Sequence, residues 1–203
     1  MQIIEIFPTP VVVLTTGTRF LSLKNDLKME LTENKTGESH YISTNRYILN
    51  NPKYSELKEY VLKQTNTFMT DVLSVDGTAR LTQSWVNCNA PGQHTHLHSH
   101  PNSIVSGVFY FELPEDSGDI TFHNGFMAVQ SYGLRPKYKL PKNKYADPRF
   151  IFKLGVGDLI LFPSYLIHNV PVNTSNLNRW NVAFNSITEN SLGDSDSLTE
   201  LIF

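Results

Sequence analysis

Histidines at alternate positions make the first chemical signal in this chain. Gly92-Gln-His94-Thr-His96-Leu-His98-Ser-His100-Pro101 carries four of the seven histidines in one short run. In an extended strand, period-two side chains place all four on one face, where neighbouring imidazoles can share one metal ion. A second segment, Gly157-Asp158 through the apolar run to Pro163 and then His168, supplies a distant imidazole. A facial set of three such ligands leaves coordination positions open on the opposite side, which suits activation of oxygen at a mononuclear metal. Arg179 lies eleven positions beyond His168. A guanidinium buried near such a site needs an anionic partner, and its planar fork matches a carboxylate better than a lysine does.

These residues must be carried by elements that bring distant segments together. His100 and His168 are 68 positions apart, the length of several antiparallel strands. From Ala79 onward the chain consists of short β-rich runs between Gly, Pro and Asn clusters: 80–87, 103–113, 119–123, 150–154, 158–162, 167–172 and 180–187. No strand–helix alternation is present, so a sandwich or barrel is expected rather than a parallel sheet. Before this region, Ile3 to Leu14 reads as an edge strand interrupted by Pro8 and Pro10. Asn51 and Pro52 start a helix whose apolar positions Leu57, Val61, Phe68 and Val72 run to about Val75 and should cover a sheet. The expected organisation is one domain over 1–203, with N-terminal support over about 1–78 and a β core over about 79–190.

Composition sets bounds. A net charge of −2 with 18% charged residues gives no reason to expect nucleic-acid or membrane binding. The single Cys88 excludes an internal disulfide and suits a reducing compartment. No apolar run approaches a membrane span, and the N-terminus lacks a signal-peptide pattern, so a cytoplasmic protein is expected. Asn34-Lys-Thr and Asn173-Thr-Ser match glycosylation sequons only by composition.

With the motifs in view, the chain resembles the iron(II)/2-oxoglutarate-dependent oxygenases, and more narrowly a bacterial and phage subgroup of them. The matching pieces are Phe7-Pro-Thr-Pro10, His98-Ser-His100-Pro101, Ser106-Gly-Val-Phe-Tyr110, Phe162-Pro-Ser164, His168, Arg179 and Phe184-Asn185. The resemblance implies a mainly β fold with flanking α-helices, a double-stranded β-helix or distorted jelly roll. It also implies Fe(II) held by the proximal and distal histidines, with 2-oxoglutarate and O2 as cosubstrates. The far carboxylate of 2-oxoglutarate would pair with Arg179. The implied activity is hydroxylation of an unidentified substrate, a small molecule, peptide or nucleotide, coupled to decarboxylation of 2-oxoglutarate to succinate. The oligomeric state is open, a homodimer included.

Most of the superfamily has His-x-Asp or His-x-Glu where this chain has His98-x-His100. The ligand set is therefore His98, His100 and His168, or a carboxylate such as Glu112 or Asp119 replaces one of them, or His96 and His98 form the pair. The resemblance favours His98 with His100, since Gly92 stands six positions before His98 as in the superfamily's usual lead-in to its first metal ligand. Halogenation fits less well, because His100 fills the position a halide would need.

Two rival readings remain. Gly92-x5-His98-x-His100 and Gly157-x5-Pro163 also resemble cupin motifs, which would bind metal without 2-oxoglutarate. That reading expects a glutamate near Ile104 and Val105 and gives Arg179 no role. The other is a metal-stabilised binding module, marked by closed coordination with four protein ligands. His40 and His123 read as surface or hydrogen-bonded residues, Arg179 alternatively as a structural ion-pair partner, and Trp85, Trp180, Phe109 and Tyr110 as core. The basic segment 125–149, with Tyr132, Arg135, Tyr138 and Tyr145, reads as a solvated loop or a lid for an acidic substrate.

Overall fold

The computed structural model describes residues 1–31, 40–125, 137–189 and 191–202. Its strands are β1 (Val12–Thr15), β2 (Tyr41–Ile42), β3 (Ala79–Asn89), β4 (Thr95–His98), β5 (Val105–Glu112), β6 (Thr121–His123), β7 (Arg149–Ile151), β8 (Asp158–Pro163), β9 (His168–Val170) and β10 (Arg179–Thr188). They form two antiparallel sheets. The six-stranded sheet runs β1-β8-β5-β10-β3-β2 and the four-stranded sheet β4-β9-β6-β7. The helices of the described residues include α1 (Lys24–Met29) and α2 (Ser55–Thr67).

The larger sheet is covered on both faces, so its central strands are buried almost throughout and hide the simple polar–apolar alternation of a one-sided sheet. On β5 and β8, Phe109, Phe111, Leu159 and Leu161 face outward to the same cluster as Leu57, Val61, Phe68 and Met69 of the helical layer. The alternate residues Tyr110, Ile160 and Phe162 face the smaller sheet with Ile120 and Phe122. β10 follows the same rule, with Trp180, Val182 and Phe184 in the helix-side cluster. Arg179, Asn181 and Ala183 consequently face the space between the sheets. Gly107 on β5 is required by this packing, since a Cβ there would stand 2.3 Å from Phe184 Cζ.

Asn51 caps the helical region by accepting from Lys53 N–H, and Pro52 opens a short 3-10 turn that leads into α2. A single π-helical turn, Phe68–Val72, ends the run. Phe68 and Met69 are buried by it, while Val72 is turned outward and exposed. Two further expectations change. Only Val12–Thr15 of the first apolar segment is a strand, paired at the edge with β8, because no partner strand among the described residues reaches Ile3 to Ile6. The polar stretch from Lys24 begins with α1. Asn173 is 1% exposed and donates to the carbonyls of Asn89 and Leu177, so its sequon is a structural turn. Asn34 lies outside the described residues. No helix among them is long and apolar enough to cross a membrane.

Candidate metal centre

The smaller sheet carries the imidazoles. β4 and β9 pair antiparallel with His98 opposite His168, and an irregularity separates that pair from Thr95 opposite Val170. His100 lies just beyond β4, where its N–H donates to Ser164 C=O at 2.9 Å, directly after the Phe162-Pro163 end of β8. The Ser164 hydroxyl is in turn bonded to Ser103 and Ser106, and Ser106 donates to Asn185. Both sheets are thereby tied at the point where the ligand segments meet. Ring centroids are 4.3 Å apart for His98–His168, 4.9 Å for His98–His100 and 5.1 Å for His100–His168.

One coordinating nitrogen from each of these three lies within 4.8 Å of the others. A small inward turn brings them to the roughly 2.0–2.1 Å of metal–imidazole bonds. The Nδ1 atoms of His98 and His168 are each 2.8 Å from a backbone carbonyl, that of His96 and that of Leu166. A carbonyl only accepts, so each Nδ1 carries the proton and each Nε2 keeps its lone pair for a metal. Burial lowers the His168 pKa to about 3 and that of His100 to about 4, and also lowers His98. Neutral imidazoles are the form that ligates. Among the described residues no fourth side chain joins the cluster, as a closed structural zinc site would require.

The carboxylates weighed from sequence are engaged elsewhere. Glu112 pairs with Lys24 and Lys28, and Asp119 with Lys153. His94 is exposed and does not line the cavity at the cluster, so the four-histidine run does not present one common face. The bulge in β4 breaks the period that would have aligned it. His96 lines that cavity with its ring 5.1 Å from His98, but stays outside the three-ligand cluster.

The larger sheet supplies the opposite wall of the same cavity, which measures about 350 Å³. Arg179 is 2% exposed, and among the described residues no carboxylate stands within 4 Å of it. Its Nη1 and Nη2 donate to Asn89 Oδ1 at 3.4 Å and to the Tyr110 hydroxyl at 3.3 Å, both long bonds, while Nε has no partner among the described residues. The guanidinium stacks on the Tyr110 ring at 5.0 Å. Burial raises the Tyr110 pKa, which keeps the phenol protonated. An under-bonded, unpaired buried cation is costly unless an anion completes it. Among the described residues no ion pair accounts for Arg179, and the charge of a dicarboxylate would match it.

Sequence reasoning missed several wall residues. His40 is buried rather than at the surface and is hydrogen-bonded to Asn87, with its pKa lowered to about 4 by burial and an unpartnered Nδ1. Trp85 and Tyr110 line the cavity, and Trp85 is fixed by a 3.0 Å bond from Nε1 to Asn87 Oδ1. Once β3 is known to face the cavity, the alternation Gln83, Trp85, Asn87 identifies the set. His123 is hydrogen-bonded to Asn169, as expected. Residues 137–145 of the basic segment are exposed and do not line the metal cavity; Tyr132 and Arg135 lie outside the described residues. Val105, where a cupin glutamate was sought, is core.

Comparison with known proteins places this geometry. No curated protein matches the sequence. Among solved structures, an oxidoreductase of the 2OG-Fe(II) oxygenase family from Burkholderia pseudomallei is 16% identical, covering 87% of this chain and 83% of that one with a TM-score of 0.60. HygX from Streptomyces hygroscopicus, with nickel, 2-oxoglutarate and hygromycin B bound, is 12% identical over 88% and 82%, with a TM-score of 0.62. A Pseudomonas putida prolyl-4-hydroxylase is 13% identical over 87% and 92%, with a TM-score of 0.57. At these identities the likeness is one of fold, the double-stranded β-helix. The model of the family described as "Putative 2OG-Fe(II) oxygenase" matches residues 83–185, just over half the chain and the span that holds His98, His100, His168 and Arg179. The chain therefore belongs to the 2OG-Fe(II) oxygenase family, whose members use Fe(II), 2-oxoglutarate and O2.

Proposed function

We propose that the protein is a 2-oxoglutarate-dependent hydroxylase in which His98, His100 and His168 hold Fe(II) and Arg179 holds the far carboxylate of 2-oxoglutarate. The observation that carries this reading is the opposition of two half-sites across one cavity. An open three-imidazole set stands on the smaller sheet, and a buried guanidinium without a carboxylate partner stands on the larger one. When bound, the iron and its cosubstrate supply the oxidising chemistry, with succinate and carbon dioxide as by-products.

The chain's own residues bind, orient and exclude water. Nδ1–H bonds to the carbonyls of His96 and Leu166 hold the rings of His98 and His168 with Nε2 toward the ion. Arg179 and the Tyr110 hydroxyl present N–H and O–H donors to a carboxylate in surroundings where no acid among the described residues competes. Phe122 and Phe162 pack on His168 at 5.6 and 4.9 Å, restricting its rotation and keeping water from that side. Three neutral ligands leave the metal one unit more positive than two imidazoles and a carboxylate would, which favours binding of the anionic cosubstrate.

The test is anaerobic titration of the Fe(II)-loaded protein with 2-oxoglutarate, followed by the weak visible charge-transfer band of a chelated 2-oxo acid and by calorimetry. A band that grows to one equivalent is expected. Its absence, together with no heat of binding at millimolar cosubstrate, rejects the assignment.

A further inference from the structure

We propose that Arg46, together with Trp85, forms the substrate subsite at the mouth of the metal cavity, and that it takes a substrate bearing an oxyanion, a carboxylate or a phosphate, next to a flat apolar group. This inference rests on the oxygenase reading of the metal centre.

The cavity has a depth axis that β3 marks out. Gln83 is exposed, Trp85 half-buried and Asn89, which bonds Arg179, fully buried. Asn89 is four positions beyond Trp85, about 14 Å along an extended strand. Arg46 belongs to the outer end. Its carbonyl accepts from Ser84 N–H at 2.8 Å, Tyr47 bridges to Ser84, and the Ser84 hydroxyl accepts from Leu49 N–H at 2.9 Å. The backbone that carries Arg46 is thus pinned to β3 beside Trp85. The side chain lines the cavity and is half-buried, and among the described residues no carboxylate lies within 4 Å of it. The Trp85 ring lies 6.1 Å from that of His100, so a group stacked on the indole stands next to the metal ligands. Ala183, the register partner of Trp85 on β10, lines the cavity with it.

Charge accounting then selects the sign of the substrate. Two arginines and five histidines line the cavity, and no aspartate or glutamate among the described residues does. One carboxylate of 2-oxoglutarate goes to the divalent metal and the other to Arg179, so in total the cavity keeps an excess of two positive charges, one at the metal and one at Arg46. An anionic substrate lowers that excess, whereas a cationic one adds to it. The 350 Å³ volume lies near the low end for ligand sites, roughly 300–1,000 Å³, and must also hold the cosubstrate. Only a small substrate, or one end of a larger one, fits between Trp85 and the metal.

The experiment uses Ni(II)-loaded protein, which is redox-inert, with saturating 2-oxoglutarate to occupy the Arg179 end. Benzoate, phenyl phosphate and uncharged benzyl alcohol are titrated by calorimetry and ligand-observed NMR. Expected is binding of benzoate or phenyl phosphate, the tighter of the two identifying the oxyanion, with benzyl alcohol weaker by about tenfold or more. Arg46→Ala and Arg46→Gln should each weaken the anionic probe by about tenfold or more, Arg46→Lys by less, with 2-oxoglutarate affinity and the thermal transition retained. Equal probe affinity in Arg46→Ala, equal binding of benzyl alcohol, or no anionic probe bound to wild type at about 10 mM overturns the proposal while leaving the oxygenase reading intact. If wild type fails to bind 2-oxoglutarate, the oxygenase reading falls, and the same titrations without cosubstrate decide the Arg46 subsite separately.

Discussion

Replacing Arg179 with methionine should separate its cost to the fold from its use in binding. Methionine keeps much of the length of the side chain and its packing on Tyr110 but removes the charge. In the free protein the guanidinium is 2% exposed, with two hydrogen bonds of 3.3 and 3.4 Å, an unpartnered Nε and no carboxylate among the described residues. Desolvating such an ion costs several kcal/mol, and two long bonds offset only part of that. Arg179→Met should therefore raise the stability of the metal-free protein by about 1–2 kcal/mol, which for a chain of this size moves the midpoint upward by about 2–4 °C per kcal/mol. Its effect on the cosubstrate has the opposite sign. Charge-assisted bonds to a carboxylate contribute about 1.5–3 kcal/mol each, so losing them should weaken 2-oxoglutarate by roughly 100-fold or more, with iron affinity spared. Scanning calorimetry of the metal-free proteins and anaerobic titration of the Fe(II) proteins measure the two effects. Strong destabilisation by Arg179→Met combined with unchanged 2-oxoglutarate affinity would refute the reasoning and make Arg179 a structural residue.

Three further outcomes are expected. His98→Ala or His168→Ala should abolish stoichiometric Fe(II) binding in equilibrium dialysis, whereas exposed His94→Ala should change it little; equal losses from all three would point to a loose histidine cluster instead. Gly157→Ala should destabilise the fold by about 2 kcal/mol or more in denaturant melts, since φ is +89° and the added Cβ would stand 2.2 Å from the Gly17 carbonyl oxygen. Metal-free protein should lose stability as the pH falls from about 6.5 toward 4 and 3. Burial holds His40 and His100 near 4 and His168 near 3, so the unfolded chain takes up protons first, and the contribution is fully present only above the unfolded histidine pKa. A flat stability profile across that window would contradict the buried neutral state.

Much of this architecture was legible because local patterns carry it. The seven β-rich runs after Ala79 reappear as β3 and β5 to β10, the extended histidine run supplies β4, and Asn51-Pro52 opens the helical region as its capping chemistry predicts. That His98, His100 and His168 could gather was legible from ligand type and spacing, with the family resemblance choosing His98–His100 over His96–His98, and Arg179 stood out because a strand after the distal histidine can return to the same space. The first strand was misread because strand propensity over Ile3 to Ile6 needs a partner edge, and the chain reaches one only at Val12.

What tertiary structure alone decided is which face each element turns inward and what each polar atom finds there. The four-histidine run has a uniform period, yet the bulge in β4 and its pairing with β9 bring in His98 and His100 and leave His94 exposed. Glu112 and Asp119 had the chemistry of ligands, but their lysine partners lie on distant segments that sequence spacing does not reveal. His40 and Arg46 gave no signal of their own, since their place in the cavity depends on β2 and the following turn docking on β3. The physical reason is common to these cases. Residue type and periodicity state what a side chain is able to do, whereas burial, register and the absence of a neutralising partner are properties of surroundings assembled from segments far apart in the chain.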